Sequence, residues 1–468
     1  MKEKNFDFGM IGLGTMGRNL VLNMADHQYS IAGFDKNTTQ VDVLKKEAGN
    51  KNVDATTNLE EFVRALKVPR TIIMLVPAGP IVDQVIEEVK PFLSEGDLLM
   101  DWGNSHFSDT NNRYNQLAKS TIHFMGVGIS GGESGARFGP SIMPGGPKEV
   151  YNRVSAVLDS ISAKVNNEPC VTWLGTGSAG HYVKMVHNGI EYGLMQLIAE
   201  AYHVLKVAGL TNDELHTTFS SWNNGRLHSF LIEITAAIFK QQDELTSNRL
   251  VDMILDTAHQ KGTGGWTSRD AMNLQVPIPS IDMAVTMRGI SSYKKERVAI
   301  QQKLKGPDIK FQGDKKNIVD LMEQALYFSM ITTYAQGLEL LHAASKKYQY
   351  DLKLENIGRI WRGGCIIRAA LLEDIRAAYA KQPELSNLLV SDLFSEKLMT
   401  SQGAMRNVIK FSVDHGVPVL AMMSSLAYYD SYRSGWLPAN LVQAQRDYFG
   451  AHTYERVDRE GTFHTHWN

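Results

Sequence analysis

Phe8-Gly9-Met10-Ile11-Gly12-Leu13-Gly14-Thr15-Met16-Gly17 is the stretch on which the fold turns. Phe8–Ile11 reads as a buried strand, and the segment after it, through Met24, reads as a helix. Between them lies G-x-G-x-x-G. The first glycine permits a tight turn, the second lets backbone approach a pyrophosphate, and the third lets helix and strand pack closely. The N-terminus of such a helix offers unpaired N–H groups and a partial positive charge to phosphates. Gly12, Leu13, Gly14, Thr15, Met16 and Gly17 are therefore expected to bind a dinucleotide, the alternative being a glycine turn that serves packing alone.

Working outward, Ser30–Phe34, Arg70–Val76, Asp97–Asp101 and His123–Val127 are further strand candidates, separated by helical stretches. This alternation predicts a parallel sheet covered on both faces, and Val171–Leu174 is expected to extend it. Asp35 ends the second strand, 18 residues after Gly17. A carboxylate there accepts hydrogen bonds from the adenosine ribose and repels a 2′-phosphate, which favours NAD over NADP. Lys36 beside it offsets part of that repulsion. The other reading is that Asp35 caps the turn with Asn37 and Thr38.

From Ala179 to about Leu437 the pattern is helical. Leu194, Leu197, Ile198, Ala201 and Leu205 form one apolar stripe, and Ile318–Ala344 repeats the period. Asn440–Asn468 is polar, aromatic and histidine-rich without a clear amphipathic period, so it is expected to fray unless it docks. The expected organisation is a Rossmann-type α/β domain (1–178), an all-α domain (179–439) and a C-terminal tail (440–468).

The chain has 468 residues, beyond what one core usually serves, which calls for more than one domain. Lys plus Arg total 48 against 50 Asp plus Glu, so no whole-chain field points to nucleic acid or an anionic membrane as partner. Two cysteines, Cys170 and Cys365, suit neither a disulfide framework nor a zinc site. The polar start, Met1 to Asp7, lacks the apolar core of a signal peptide, and no apolar run reaches the length of a membrane span. A cytoplasmic protein without a metal is expected.

Lys184, His187, Asn188 and Glu191 stand at offsets of zero, three, four and seven, on one face of a helix. Four polar groups could form a solvated surface. Their neighbours Val183, Met185, Val186, Ile190 and Leu194 are apolar, however, and a buried polar row is costly unless it lines a site or is fully paired.

The run Gly180-His181-Tyr182-Val183-Lys184-Met185-Val186-His187-Asn188-Gly189-Ile190-Glu191-Tyr192-Gly193 closely resembles the signature of 6-phosphogluconate dehydrogenases. So do Gly131–Arg137, Gln260–Gly264, Ile357–Arg368 and Ala444–Glu455, which together span the chain. The resemblance implies that Lys184 is the general base towards the C3 hydroxyl of the sugar acid and that Glu191 later protonates C1. It places Val76, Pro77, Ala78 and Asn104 with the cofactor, and Asn104, Ser130, Gly131 and Gly132 on the carboxylate side. His187 and Asn188 would bond the substrate hydroxyls. Tyr192, Lys261, Thr263, Arg288, Arg446 and His452 would hold its phosphate. It further implies a homodimer in which the tail completes the partner's site. NADP is the family's usual cofactor, but Asp35-Lys36-Asn37 replaces an arginine-bearing motif and Pro77 stands where lysine is common. NAD is therefore expected to be accepted or preferred. A glycine stands near Gly264-Gly265-Trp266 where lysine is frequent, and the sequence offers no account of it. His464 and His466 read as a flexible end rather than a metal pair.

Two other readings compete. A β-hydroxyacid dehydrogenase for a small unphosphorylated acid would share the glycine motif and the lysine, but such chains are shorter and lack the tail motif. A non-enzymatic dinucleotide sensor would have lost Lys184 or Glu191, and both are present.

Overall fold

The structure is a computed structural model that describes residues 5–467; the polar start at Met1–Lys4 lies outside the described residues. Seven strands form the main sheet: β1 (Phe8–Ile11), β2 (Ile31–Phe34), β3 (Val53–Thr56), β4 (Thr71–Met74), β5 (Leu98–Asp101), β6 (His123–Ser130) and β7 (Ser141–Gly145). Their spatial order is 3-2-1-4-5-6-7. Neighbours are parallel except β6 and β7, which pair antiparallel with Val127 opposite Pro144. The order reverses between β1 and β4, and a crevice at such a switch point is where α/β sheets bind ligands.

Helices α1 (Thr15–Asp26), α2 (Thr38–Ala48), α3 (Leu59–Arg64), α4 (Pro80–Val89), α5 (Phe107–Leu117), α6 (Gly132–Phe138) and α7 (Lys148–Ile161) follow the strands in turn. Adjacent strand residues point to opposite faces, and here both faces are buried. Met10, Ile73, Leu98 and Met125 join one core, while Ile11, Ile72, Leu99 and Phe124 join the other. That is why these strands read as continuous apolar runs.

Two strands escape the pattern. β3 carries only one fully buried residue, Ala55, because it is an edge strand with little to cover it. β7 contains Pro144, tolerated at the other edge, where a missing N–H breaks no ladder. Val171–Leu174, by contrast, adds no strand: Val171 makes one isolated bridge to Ile142. The segment runs beside β7, joined to it by Ile142 N to Cys170 O and Leu174 N to Pro144 O, too few bonds to make a ladder.

The helical region begins with α8 (Ala179–Val207), 29 residues long and largely buried. It continues through α9 (Asn212–Asn223), α10 (Phe230–Lys240), α11 (Leu250–Met253), α12 (Thr263–Asn273), α13 (Pro279–Ser292), α14 (Lys294–Gln301), α15 (Lys315–Tyr348), α16 (Leu354–Ile360), α17 (Leu371–Lys381), α18 (Asp392–Asp414) and α19 (Leu420–Tyr432). Among the described residues no helix is long and apolar enough to cross a membrane. Residues Met1–Ser425 form one compact unit and Leu426–Asn468 a second.

The second unit contains the 440–468 segment, and within it that segment has structure of its own. It holds α20 (Ala439–Gly450) and a hairpin of β10 (Tyr454–Glu455) and β11 (Thr462–Phe463). The organiser is Asp447, fully buried, whose carboxylate accepts from Thr453 N, His464 Nδ1, Thr465 N and Trp467 Nε1 at 2.9, 2.9, 3.1 and 2.9 Å. His464 is thus held by a carboxylate and is not a loose end. One charged side chain, rather than an apolar stripe, orders the segment, and amphipathic periodicity does not report that.

Where α8 crosses the sheet edge, glycines on both sides remove the side chains that would separate them. A Cβ on Gly180 would lie 2.5 Å from Gly126 O and 2.7 Å from Gly145 N, and one on Gly128 would fall on Lys184 Cβ. Alanine is ordinarily the better helix former by about 1 kcal/mol. Gly180→Ala should nonetheless destabilise by about 1–3 kcal/mol through overpacking. Gly403→Ala, in α18 with open space around it, should stabilise by roughly 0.5–1 kcal/mol. Urea unfolding of the two variants checks this; a gain of stability in Gly180→Ala would refute the close approach.

Candidate active site

At the N-terminus of α1 the three glycines divide their duties as the motif requires. Gly12 sits at φ +94°, and a Cβ there would press on the carbonyl of Leu75 in the neighbouring loop. A Cβ on Gly17 would meet Gly12 O, whereas Gly14 faces open space. Gly14 is the N-cap of α1 and supplies no capping side chain. The first-turn N–H groups therefore point out unpaired, as at any bare helix start. This cradle fits a diphosphate by shape and by donor chemistry.

Asp35 is occupied by the fold. Its carboxylate accepts from Leu13 N at 2.8 Å and from Asn37 N at 2.9 Å, pinning the glycine turn and the start of α2. Asn37 in turn accepts from Thr39 N. The capping reading of Asp35 is thus realised with Asn37. Lys36 Nζ lies 2.8 Å from Glu88 Oε1.

A cleft of about 920 Å³ opens beside this turn, with Met16 of α1 in its wall. One side carries Val76, Pro77, Ala78 and Asn104, and the other carries Ser130, Gly131 and Gly132. Lys184, Asn188, Glu191 and Tyr192 come from α8, and Lys261, Thr263 and Arg288 complete it. Among the residues it brings together, the sequence reading missed Trp102, Met195, His259, Gln260, Trp266 and Ile366. Trp266 and Gln260 lie inside or beside quoted motifs, so their position was a signal; Met195 and Ile366 carry no polar chemistry that would mark them. Gly12, Leu13, Gly14, Thr15, Gly17, Asp35, Lys36 and Asn37 lie at the glycine turn outside the cleft's lining. Arg446 and His452 lie exposed in the second unit.

Within the polar row of α8, Lys184 and His187 are buried, and Asn188 and Glu191 are partly buried where they face the cleft. His187 is wholly enclosed and stands between the two ionisable ends of the row. Its Nδ1 is 3.5 Å from Lys184 Nζ, 3.1 Å from Asn188 Oδ1 and 3.8 Å from Glu191 Oε2, and its Nε2 is 3.3 Å from Ser130 Oγ. Burial holds the His187 pKa well below the usual histidine range, with Lys184 adding to the effect. A neutral ring with its proton on Nδ1 donates to Asn188 Oδ1 and accepts from the Ser130 hydroxyl at Nε2. The edge of Trp361 closes on this ring, 5.5 Å between centroids.

Burial acts in opposite senses on the two ends of the row. It pushes the Lys184 ammonium below its ordinary pKa, against the pull of Glu191. It raises the Glu191 carboxyl, against the pull of Lys184 and Arg288. Each shift favours the neutral form. The result is an amine that can accept a proton and an acid that can donate one, on the same helix face. Cys365, also buried near Lys184, is pushed up to about 12 by desolvation and carries no nucleophilic thiolate at neutral pH.

At the other end of the cleft the Arg288 guanidinium lies 3.5 Å from the centroid of the Tyr192 ring and donates to His259 O at 3.2 Å. It is fixed by these contacts, and Lys261 is its neighbour in the lining. The Ile357–Arg368 motif supports the floor. A Cβ on Gly131 would lie 2.6 Å from Gly364 O, so two glycines meet where the Ser130–Gly132 turn rests. Among the described residues no cluster of three His, Cys, Asp or Glu could hold a metal ion.

Comparison with known proteins agrees with this geometry along the whole chain. Residues 7–175 match the family model described as the NAD binding domain of 6-phosphogluconate dehydrogenase, and residues 180–467 match that of the 6-phosphogluconate dehydrogenase C-terminal domain. A relative in Bacillus subtilis, the NADP(+)-dependent decarboxylating 6-phosphogluconate dehydrogenase, is 52% identical over 461 residues, 98% of each chain. The decarboxylating enzyme of Lactococcus lactis subsp. lactis is 49% identical over 464 residues, again 98% of each. A solved structure of Plasmodium falciparum 6-phosphogluconate dehydrogenase, described as apo, with its cofactor NADP+ and with its substrate 6-phosphogluconate, superposes with a TM-score of 0.96. It is 42% identical and covers 98% of this chain and 100% of its own. With a dinucleotide cradle beside a buried lysine and a partly buried glutamate on one helix, and matches at both ends of the chain, this protein belongs to the 6-phosphogluconate dehydrogenase family.

Proposed function

We propose that the protein oxidises and decarboxylates 6-phospho-D-gluconate to D-ribulose 5-phosphate and carbon dioxide, with reduction of NADP. The observation that carries this reading is the pairing of Lys184 and Glu191, both driven toward neutrality by burial, at the floor of a cleft that also holds Lys261 and Arg288. A doubly anionic sugar acid suits those cations, and a proton-transfer sequence suits that pair.

The dinucleotide, when bound, supplies the acceptor for the hydride that leaves C3. Lys184 Nζ, neutral, takes the proton of the C3 hydroxyl as that hydride departs. A β-keto acid results, and it loses carbon dioxide readily once Lys184 returns its proton to the keto oxygen. The enediol left behind takes a proton from the protonated Glu191 at the carbon that bore the carboxylate, C1 of the product, while its C2 hydroxyl gives its proton to Lys184 and becomes the product's ketone. His187 orients this exchange: it holds Asn188 and Ser130 in place for the hydroxyls while its own neutral ring adds no charge beside Lys184. Gly131 and Gly132 leave room for the carboxylate end, and Asn104 faces both ligands. Tyr192, Lys261, Thr263 and Arg288 take the phosphate.

For the cofactor, the cradle at Gly12–Gly17 with Val76, Pro77 and Ala78 holds the dinucleotide. NADP is the proposed partner, with NAD accepted as well. Asp35 spends two lone pairs on Leu13 N and Asn37 N, which turns its carboxylate toward the backbone. Lys36 is the cation within reach of a 2′-phosphate once it leaves Glu88, an exposed pair of small worth.

We further propose a cytoplasmic homodimer in which the tail, 440–468, docks on the partner and delivers Arg446 and His452 to its phosphate end. Residues 1–178 serve the dinucleotide and 179–439 the substrate. The support is the tail's own surface: Leu441, Val442, Tyr448 and Phe449 are exposed beside Arg446, an apolar face that needs a cover.

Purified protein should reduce NADP in the presence of 6-phosphogluconate, with a lower kcat/KM for NAD; absence of reduction with either, in protein that binds dinucleotide, would overturn the function. In the same assay Lys184→Ala should lose about 10²–10⁴-fold in kcat with dinucleotide affinity kept, and near-parental turnover would remove the base. Because Lys184 must be neutral, kcat/KM should fall as pH drops through its lowered pKa, so the limb sits below an ordinary lysine's. A limb at the free-lysine value would contradict the burial argument. Deleting residues 440–468 should raise KM for the substrate sharply and change the mass in solution; unchanged kinetics would rule out a tail-completed site.

A further inference from the structure

Arg113, on α5, is almost fully buried, and its guanidinium uses all five of its N–H donors. Nε and Nη2 grip the Asp83 carboxylate at 2.6 and 2.9 Å, and Nη2 also donates to Gly79 O at 2.9 Å. Nη1 reaches Asp101 Oδ2 at 3.4 Å and Ser105 Oγ at 3.3 Å. Asp83 and Gly79 belong to the start of α4, directly after Val76-Pro77-Ala78. Asp101 and Ser105 bracket Trp102-Gly103-Asn104. These are the two loops that wall the dinucleotide side of the cleft. They touch: a Cβ on Gly103 would lie 3.1 Å from Val76 O. Asp101 tightens the second loop itself, accepting from Gly103 N at 2.9 Å and from Ser105 Oγ at 2.6 Å.

One turn earlier on the same helix face, buried Thr110 meets His181 of α8, with Oγ1 and Nδ1 2.6 Å apart. His181 lies one turn before Lys184. Phe107 packs edge-on against Tyr182, 4.9 Å between centroids, and Tyr182 donates to Asp270 of α12 at 2.6 Å. Helix α5 therefore grips the cofactor loops through Arg113 and the catalytic helix through Thr110 and Phe107. Neither Arg113 nor Thr110 lines the cleft.

We propose that α5 is a strut that sets the distance between the cofactor loops and Lys184, with Arg113 as the positioning residue that locks both loops to it. The proposal rests on the reading of the cleft as a dinucleotide and sugar-acid site. A planar fork with five placed donors can hold two loops at once; an ammonium on a flexible stem cannot, so Arg113→Lys keeps the charge and loses the lock. Misplacement of a reacting group by about 1 Å costs on the order of 100-fold in rate.

The test is Arg113→Lys in the full-length protein, read by NADPH titration, 6-phosphogluconate binding, and single-turnover reduction of NADP with 3-deuterated and ordinary substrate. The expected result is weaker NADPH binding, unchanged substrate affinity, transfer slowed by about 10- to 100-fold, and a larger deuterium effect on turnover. A structural role alone would lower the melting temperature without that split. Transfer rate and NADPH affinity indistinguishable from the parent's would overturn the proposal, as would a loss that follows substrate affinity instead. If Arg113→Lys does not fold, Asp83→Ala carries the test, since Asp83 is half exposed and its removal frees only the α4 side of the fork. The same split at smaller amplitude supports the strut, and parental behaviour overturns it. Should the parent bind NADPH but leave 6-phosphogluconate untouched, the function fails separately, and parental NADPH affinity in Arg113→Lys then also removes the strut.

Discussion

The close seating of α8 on the edge of the sheet is the contact from which the site follows. Glycines at 126, 128 and 145 on the strands and at 180 on the helix let backbone meet backbone. With ordinary side chains at those positions the helix would stand several ångströms farther out. Lys184 would then lose its close approach to Gly128 and much of the desolvation that lowers its pKa. Packing density at four residues that carry no chemistry thus lowers the pKa of one that does.

Burial then does two things with one row of side chains. Desolvation disfavours charge on both Lys184 and Glu191, so it lowers one pKa and raises the other. Their mutual attraction works against both shifts, and the neutral His187 between them keeps the pair from collapsing into a simple ion pair. The site gains an acid and a base from one physical cause. Arg288 lies on the Tyr192 ring, where a guanidinium, being weakly hydrated, gives up little solvation for the contact.

The rest of the molecule supports this arrangement with buried polar groups whose partners come from distant elements. Glu200 of α8 accepts from Ala421 N and Met422 N at the start of α19, both at 2.9 Å. Asp270 receives the hydroxyls of Tyr182 and Tyr348. Each such group costs free energy if left alone and confers specificity when paired. They fix the long helices in register against each other where apolar packing by itself would allow sliding.

What could be read from the sequence was local. The glycine spacing at 12, 14 and 17 names its own turn, and offsets of three, four and seven put Lys184, His187, Asn188 and Glu191 on one face, because helix geometry converts spacing into direction. Apolar runs marked the central strands, since both their faces are buried; β3 and β7 lacked that mark, one for want of cover and the other because it holds a proline. The tail's order was hidden, as a single buried Asp447 has no period. Tertiary structure alone decided that Lys184 and His187 are buried, with Asn188 and Glu191 partly so, and that Asp35 faces the backbone of Leu13. It alone also decided that Arg113 joins two loops some thirty positions and about a dozen positions away. Burial and hydrogen-bond partnership depend on which distant segments meet, and that is set by how the whole chain packs.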